Sequence, residues 1–351
     1  MENQMEKEKN IKKILLGCSI AAVVILAVIF AVSFFGKGKS DIKDTDVVAV
    51  VNGDNITVKQ AKFYIYMSQA NYETYAVLSG QEIDWESEAE DEDGTMINAA
   101  NVLREEAMQI LYKQVLFMQK AKEWGLTLND EEKAEVKEEV DKFYKESDDD
   151  LLDRLGADRE LINSIYTDVK MYTKVCEKIL EDKEITVTDE ETHQGMFSMA
   201  IIDSSKTDSP EDTGKAMLDR IKAGESIKYV ADVYGVELSV GNVGKNTFKN
   251  ELGELCLSLK TGESGMVTVG DYTYVVFCEN DDDKEATEIA KEQLIEEKEA
   301  AIIDEYFTEL KKSATIDLKE DVLKKIKVKG NIITSEDVEK YTTSDAEPED
   351  K

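Results

Sequence analysis

Few side chains in this sequence could carry out chemistry, and they lie far apart. The chain of 351 residues has one histidine, His193, and only four cysteines. This count leaves almost no room for a Ser-His-Asp set, a two-histidine site or a histidine-rich metal centre. The sequence therefore predicts no metal ion, no cofactor and no residue in a conventional catalytic role.

The cysteines do not form a disulfide framework. Cys176, Cys256 and Cys278 are scattered and show no CxxC spacing, and Cys18 lies within an apolar segment. The three cysteines that follow the apolar segment are an odd number and are scattered, which favours buried free thiols. A bridge between Cys256 and Cys278 stays open at this stage.

Acidic residues are the most abundant chemical groups. Asp and Glu number 76 against 43 Lys and Arg, a formal net charge of −33, which excludes the basic surface of a nucleic-acid binder. The densest acidic run, residues 81–95, could suggest a calcium loop. However, Ala89 stands where an EF-hand needs its first acid, and Ala100 stands at the closing glutamate. A solvated loop is the favoured interpretation.

The longest apolar segment is residues 14–35, which contain no charged side chain. At 1.5 Å per residue it would span about 33 Å, enough for a bilayer core. We expect an uncleaved signal anchor with the N-terminus inside, although cleavage after Ala31-Val32-Ser33 stays open. A lipoprotein is disfavoured because most of the apolar segment follows Cys18. Each alternative exports the rest of the chain.

The exported part changes its pattern along the chain. A short apolar strand at 47–51 is followed by an Asn-Gly turn, and a stripe from Leu103 to Trp124 predicts amphipathic helices. From about residue 195, short strands alternate with short helices, and VGNVG at 240–244 reads as a glycine-marked turn. A long helix at about 288–312 follows. Residues 335–351 read as an acidic, disordered tail.

Five segments resemble the SurA/PrsA class of extracytoplasmic foldases. They are VVAVVNGDNIT (47–57), AKEWGLTLNDEE (121–132), IKAGESIKYVADVYG (221–235), LSLKTGESGMV (257–267) and SATIDL (313–318). The resemblance covers about residues 46–320. It implies an α+β chain in which a parvulin-type prolyl isomerase module is inserted into a mostly helical chaperone domain. A C-terminal helix would pack back onto that chaperone domain.

The resemblance and the apolar segment together predict seven parts. They are a cytoplasmic tail (1–13), a transmembrane signal anchor (14–35), a linker (36–45), a helical SurA-N-like chaperone domain (46–190), a parvulin-like domain (191–285), a C-terminal helix completing the chaperone domain (286–325) and an acidic tail (326–351).

The parvulin resemblance also marks what has been replaced. The first strand of a parvulin begins with a histidine where this chain has Met199, and a second histidine belongs where Tyr272-Thr273-Tyr274 stand. The proline pocket would be lined by Leu257, with Phe248 near a position usually held by methionine. The resemblance therefore implies a peptide-binding site at Met199, Phe248, Leu257, Tyr272 and Tyr274, with both catalytic histidines missing.

These expectations lead to one main hypothesis and two alternatives. The main hypothesis is a single-pass membrane protein, mostly extracytoplasmic, that binds unfolded exported polypeptides, with an isomerase module of weak or no activity. The alternatives are an active peptidyl-prolyl isomerase and a structural surface protein with a fixed partner. An apolar client surface could be lined by residues of the first long helix, although core packing is the favoured explanation for them: Phe63, Tyr64, Tyr66, Met67, Tyr72 and Tyr75.

Overall fold

The computed structural model of the chain describes residues 42–90, 96–328 and 330–343. Contacts divide the chain into two compact units. The second unit is Lys183–Ile302, and the first unit is formed by the residues before and after it. None of the helices within the described ranges is long and apolar enough to span a bilayer. The predicted transmembrane segment, 14–35, lies outside the described residues.

The first unit begins with a β-hairpin and continues mainly as helices. Its elements up to residue 182 are β1 (Val47–Val51), β2 (Asp54–Thr57), α1 (Val58–Ser79), β3 (Glu88–Glu90), β4 (Met96–Asn98), α2 (Ala99–Glu123), α3 (Asp130–Glu146), α4 (Asp149–Leu155) and α5 (Arg159–Leu180). The predicted Asn-Gly turn is confirmed, with positive φ at both Asn52 and Gly53. Thr57 caps α1 through a capping box with Gln60.

The second unit contains a four-stranded sheet and short helices. Its elements are α6 (Asp189–Thr192), β5 (Gln194–Asp203), α7 (Pro210–Lys222), α8 (Ile227–Tyr234), β6 (Glu237–Gly244), α9 (Glu251–Ser258), β7 (Ser264–Val269) and β8 (Tyr272–Asn280). A long helix, α10 (Lys284–Ser313), begins in this unit and ends in the first. There it is followed by β9 (Ile316–Leu318), α11 (Glu320–Leu323) and α12 (Ser335–Thr343).

The first unit brings together elements that are far apart in the sequence. Strand β1 lies between β2 and β9 in an antiparallel sheet. Four residues of the predicted α2 stripe, Leu103, Ala107, Phe117 and Ala121, are at most 3% exposed. The last part of α10 also belongs to this core, where Phe307 and Leu310 pack partly buried.

The predicted disordered tail is wrong over residues 335–343, which form α12. Just before this helix, Ile332 is fully buried in the first core. Asp337 is paired with Arg154 of α4 at 2.8 Å, so this acidic side chain is neutralised rather than solvated. Composition predicted disorder because it counts charges without showing which ones are paired. The last eight residues, 344–351, lie outside the described residues.

The second unit is built on a four-stranded antiparallel sheet with the order β6-β5-β8-β7. Helices α7 and α8 pack on one face through Met217, Ile221 and Val230, while α9 packs on the other face. The predicted turn at 240–244 is wrong, because these residues are the second half of edge strand β6. Gly241 has open space around its Cα, and an edge strand tolerates glycine there.

Candidate peptide-binding site

Strand alternation brings three of the predicted site residues onto the α9 face of the second sheet. Met199 on β5 pairs with Val276 on β8, and two residues further along Ile201 pairs with Tyr274. Because alternate residues of a strand share a face, Met199, Tyr274 and Tyr272 point to the same side. The Tyr272 and Tyr274 rings lie 6.4 Å apart between centroids.

Helix α9 covers this face with a different leucine from the predicted one. Leu252 and Cys256, one helical turn apart, are 2% and 0% exposed and pack against Met199. Leu257 follows Cys256 directly, so it points about 100° away, and it is 45% exposed. The structure therefore does not bring Leu257 into the cluster. The four-residue spacing of Leu252 and Cys256 was the sequence signal that could have found them.

Phe248 lies at the edge of the same cluster, partly buried. Its backbone passes unusually close to α9, since a Cβ on Gly253 would lie 2.1 Å from the Phe248 carbonyl oxygen. Only glycine at position 253 allows this approach. The loop before α9 can therefore close over the sheet and hold the Phe248 ring beside Leu252.

The α9 face has little capacity for proton transfer. Met199 is 6% exposed and belongs to the core, whereas Tyr272 is 43% exposed and reaches solvent. Cys256 and Cys278 are free thiols in the cluster. Burial raises the pKa of Cys256 to about 11 and also raises the pKa of Cys278, so both stay protonated at neutral pH. The face offers apolar surface and two phenols.

The only histidine lies outside the strands. His193 ends helix α6, and its Nδ1 is 3.9 Å from a carboxylate oxygen of Asp282. It immediately precedes β5 and is not part of the apolar cluster around Met199. Across residues 42–90, 96–328 and 330–343, no group of three or more His, Cys, Asp or Glu side chains is arranged to hold a metal ion.

The opposite face of the sheet carries an open cavity of about 1120 Å³ that sequence reasoning missed. Its apolar lining includes Phe277 of β8 and Val240 of edge strand β6, which is 58% exposed. Ser198 of β5, nearly buried, donates a hydrogen bond to Glu279 at 2.7 Å within this lining. The cavity is wide enough for apolar side chains of a bound segment.

Comparison with known protein families finds a match for the first part of the chain. The model of the SurA-like N-terminal domain matches residues 9–153. This part of the chain is similar to SurA-like N-terminal domains. The match confirms the resemblance predicted from the sequence. No curated protein matches the chain.

Solved structures of similar proteins share little sequence with the chain. A SurA-like chaperone of Campylobacter jejuni is 13% identical, covering 78% of this chain and 98% of that one, with a TM-score of 0.29. PrsA of Bacillus subtilis is 16% identical, covering 69% of this chain and 98% of that one, with a TM-score of 0.23. The peptidylprolyl isomerase PrsA of Bacillus cereus is 16% identical, covering 74% of this chain and 99% of that one, with a TM-score of 0.33. The similarity to SurA-like domains therefore rests on the family match.

The range that matches the SurA-like domain model exposes an apolar stripe at the end of α1. Of the aromatic residues expected to line a client surface, Phe63, Tyr64 and Tyr66 are buried. Further along the helix, the stripe formed by Tyr72, Tyr75 and Leu78 is exposed, at 40%, 64% and 63%. Their spacing of three places them on neighbouring positions of one helical surface. Within the described part of the matched range, the aromatic residues that are at least 36% exposed, Tyr72 and Tyr75, lie at this end of α1.

Proposed function

We propose that the chain is a membrane-anchored extracytoplasmic chaperone that binds unfolded exported polypeptides. The observation that carries this proposal is the match of the SurA-like N-terminal domain model to residues 9–153. The chaperone domain would comprise residues 46–190 and be completed by the helix at 286–325. Anchoring would use the uncharged apolar segment 14–35, which leaves residues 1–13 in the cytoplasm and the residues after 35 outside the cell membrane.

Two surfaces support client binding without chemistry. The apolar stripe of Tyr72, Tyr75 and Leu78 offers aromatic contacts, and the cavity beside Val240 offers an apolar recess. Exposed apolar surface of this kind marks interaction sites. The net charge of −33 keeps such a protein soluble and disfavours association between its own copies. Unfolded chains with exposed apolar segments and excess positive charge are the clients that fit these features best.

We further propose that residues 191–285 form a parvulin-like module with weak or no isomerase activity. Rotation about an X–Pro bond faces a barrier of about 18–20 kcal/mol. A catalyst must favour the twisted amide over the planar one, which requires polar groups placed around it. Met199 and the neutral thiols of Cys256 and Cys278 cannot supply such groups. Tyr272 and Tyr274 supply two phenols, which suit binding more than catalysis.

A prolyl isomerisation assay of the full chain on a short X–Pro peptide tests this module. We expect kcat/KM at least 100-fold below that of an active parvulin measured alongside, because both histidines are replaced. Met199→His places a histidine where a parvulin has one and is the gain-of-function variant. Leu257→His, which places a histidine at an exposed position, is its control. Robust turnover by the unaltered chain that is lost in Tyr274→Phe would contradict the proposal and support an active enzyme.

A further inference from the structure

Residues 326–328 and 330–337, here called the strap, are held on the first unit largely through their main chain. Three of its carbonyl oxygens accept hydrogen bonds from side chains of α1 and α2. The Ile326 carbonyl accepts from Arg104 Nε at 3.1 Å and Nη2 at 2.9 Å. The Lys327 carbonyl accepts from the Tyr66 hydroxyl at 3.3 Å. The Gly330 carbonyl accepts from Gln69 Nε2 at 2.8 Å.

The strap is also held through its amides. Oε2 of Glu73 accepts hydrogen bonds from the backbone N–H groups of Ile332 at 2.6 Å and Ile333 at 2.8 Å. Glu73 is 4% exposed, and its other oxygen accepts from Gln69 at 2.7 Å and from Trp85 at 3.0 Å. A buried carboxylate fixed in this way is aimed at two successive amides of a neighbouring chain segment. Charge-assisted bonds of this kind are stronger than neutral ones.

Two apolar side chains of the strap fill the groove below these bonds. Ile326 and Ile332 are fully buried in the first core, and Val328 and Ile333 pack partly buried beside them. Arg154 of α4 completes the groove by donating to the Ile332 carbonyl. Main-chain hydrogen bonds do not depend on sequence, whereas the pockets require aliphatic side chains. The groove therefore recognises an irregular or extended segment with two aliphatic residues about six positions apart.

We propose that this groove is a binding site for aliphatic segments of unfolded polypeptides and that the strap occupies it in cis. The inference rests on the proposed chaperone function and deepens it, because it names the site and the kind of segment bound. The strap follows strand β9 and helix α11, so α12 is the one described element that would move with it when it leaves the groove. A tethered segment acts at millimolar effective concentration, which keeps the groove closed until a client competes.

Hydrogen exchange of the full, unaltered chain tests this exchange directly. The probe is reduced, unfolded lysozyme at saturating concentration, and the readout is amide exchange at Ile332 and Ile333. We expect exchange at both amides to become at least 10-fold faster with the client, while β1 amides stay unchanged. Bound client with unchanged strap exchange would overturn the inference and leave the chaperone function standing. Absence of client binding would overturn both.

A variant test separates the groove from the rest of the surface. Ile332→Ser weakens the strap, and Asn331→Ser changes an exposed neighbour as its control. A labelled peptide with the sequence of residues 324–338 should bind Ile332→Ser at least 10-fold more tightly than the wild type or the control. The same peptide carrying the Ile332→Ser substitution should not bind. Equal peptide affinity in all three chains, with circular dichroism unchanged, would overturn the inference.

If Ile332→Ser fails to fold, the exchange measurement on the unaltered chain decides alone. Dimers that form through the strap would show that a second copy is the occupant, and this would also overturn the inference. Analytical ultracentrifugation of Ile332→Ser and of the wild type distinguishes that outcome. We expect both chains to remain monomeric in the absence of peptide.

Discussion

Lys113 of α2 is a buried cation held by aromatic rings and one carboxylate. It is 5% exposed and lies about 5.8–5.9 Å from the ring centroids of Phe117, Tyr172 and Phe307. Its ammonium is 2.7 Å from Asp304 of α10, whose side chain is 46% exposed. The lysine thereby joins the last part of α10 to the core of the first unit.

Replacing Lys113 should therefore weaken the first unit. Lys113→Ala should lower its free energy of unfolding by about 2–3 kcal/mol, through lost packing, lost cation–π contacts and a broken ion pair. Lys122→Ala on the same helix is the control, since that side chain is 76% exposed. Tryptophan fluorescence in urea measures the effect, because Trp85 and Trp124, the chain's two tryptophans, both lie in the first unit. Equal urea midpoints for both variants would contradict this assignment.

Asp337 should make strap docking depend on pH. Two hydrogen bonds from Arg154, at 2.8 and 3.0 Å, together with Thr334, hold the pKa of this carboxyl well below its usual range. A carboxyl with a lowered folded pKa stabilises the fold fully above the unfolded pKa of about 3.9. That contribution is lost as the pH falls below about 4 towards the folded value.

The Asp337→Asn variant isolates this effect. Its urea midpoint by tryptophan fluorescence should lie below the wild-type midpoint at pH 7, and the difference should shrink as the pH falls from 5 to 2.5. Glu336→Gln, at an exposed neighbouring position, should show no such trend. A difference between Asp337→Asn and wild type that stays constant over this range would show that the ion pair does not fasten the strap.

Helix α9 determines the shape of the candidate site at the level of elements. Leu252 faces the sheet and Leu257 faces solvent, although both belong to one eight-residue helix. Leu252→Ala should cost about 2–5 kcal/mol, as for other buried leucines, whereas Leu257→Ala should cost less than about 0.5 kcal/mol. The measurement is thiol labelling of Cys256 and Cys278, buried in the same cluster, against urea concentration. Similar midpoints for the two variants would mean that the helix is rotated from this orientation.

Local rules predicted part of this fold and failed where contacts are distant in sequence. The Asn52-Gly53 turn followed from its residue types, and Met199 and Tyr274, which were named from the resemblance, lie on one face of the sheet. The rotation of α9 could not be predicted, because it depends on which side of an eight-residue helix meets the sheet. The strap was missed for a similar reason. Its partner Glu73 lies 259 residues before Ile332, and no local pattern shows that contact.

The charge of the whole molecule should influence which unfolded polypeptides the proposed chaperone binds. A net charge of −33 attracts basic unfolded chains over distances comparable to the Debye length, about 8 Å at physiological salt. The apolar stripe and the strap groove do not depend on salt in this way. Client binding that survives at 0.5 M salt would therefore come from apolar surface, while binding that disappears would come from charge alone.

The most direct test is light scattering by reduced lysozyme as it aggregates at 0.5 M salt, with and without the full chain at equimolar concentration. We predict that the chain suppresses most of the scattering. The triple variant Tyr72→Ser, Tyr75→Ser and Leu78→Ser, which removes the exposed stripe, should suppress it less. Unchanged aggregation, even with the chain in stoichiometric excess, would contradict the chaperone function and favour a structural protein with a fixed partner.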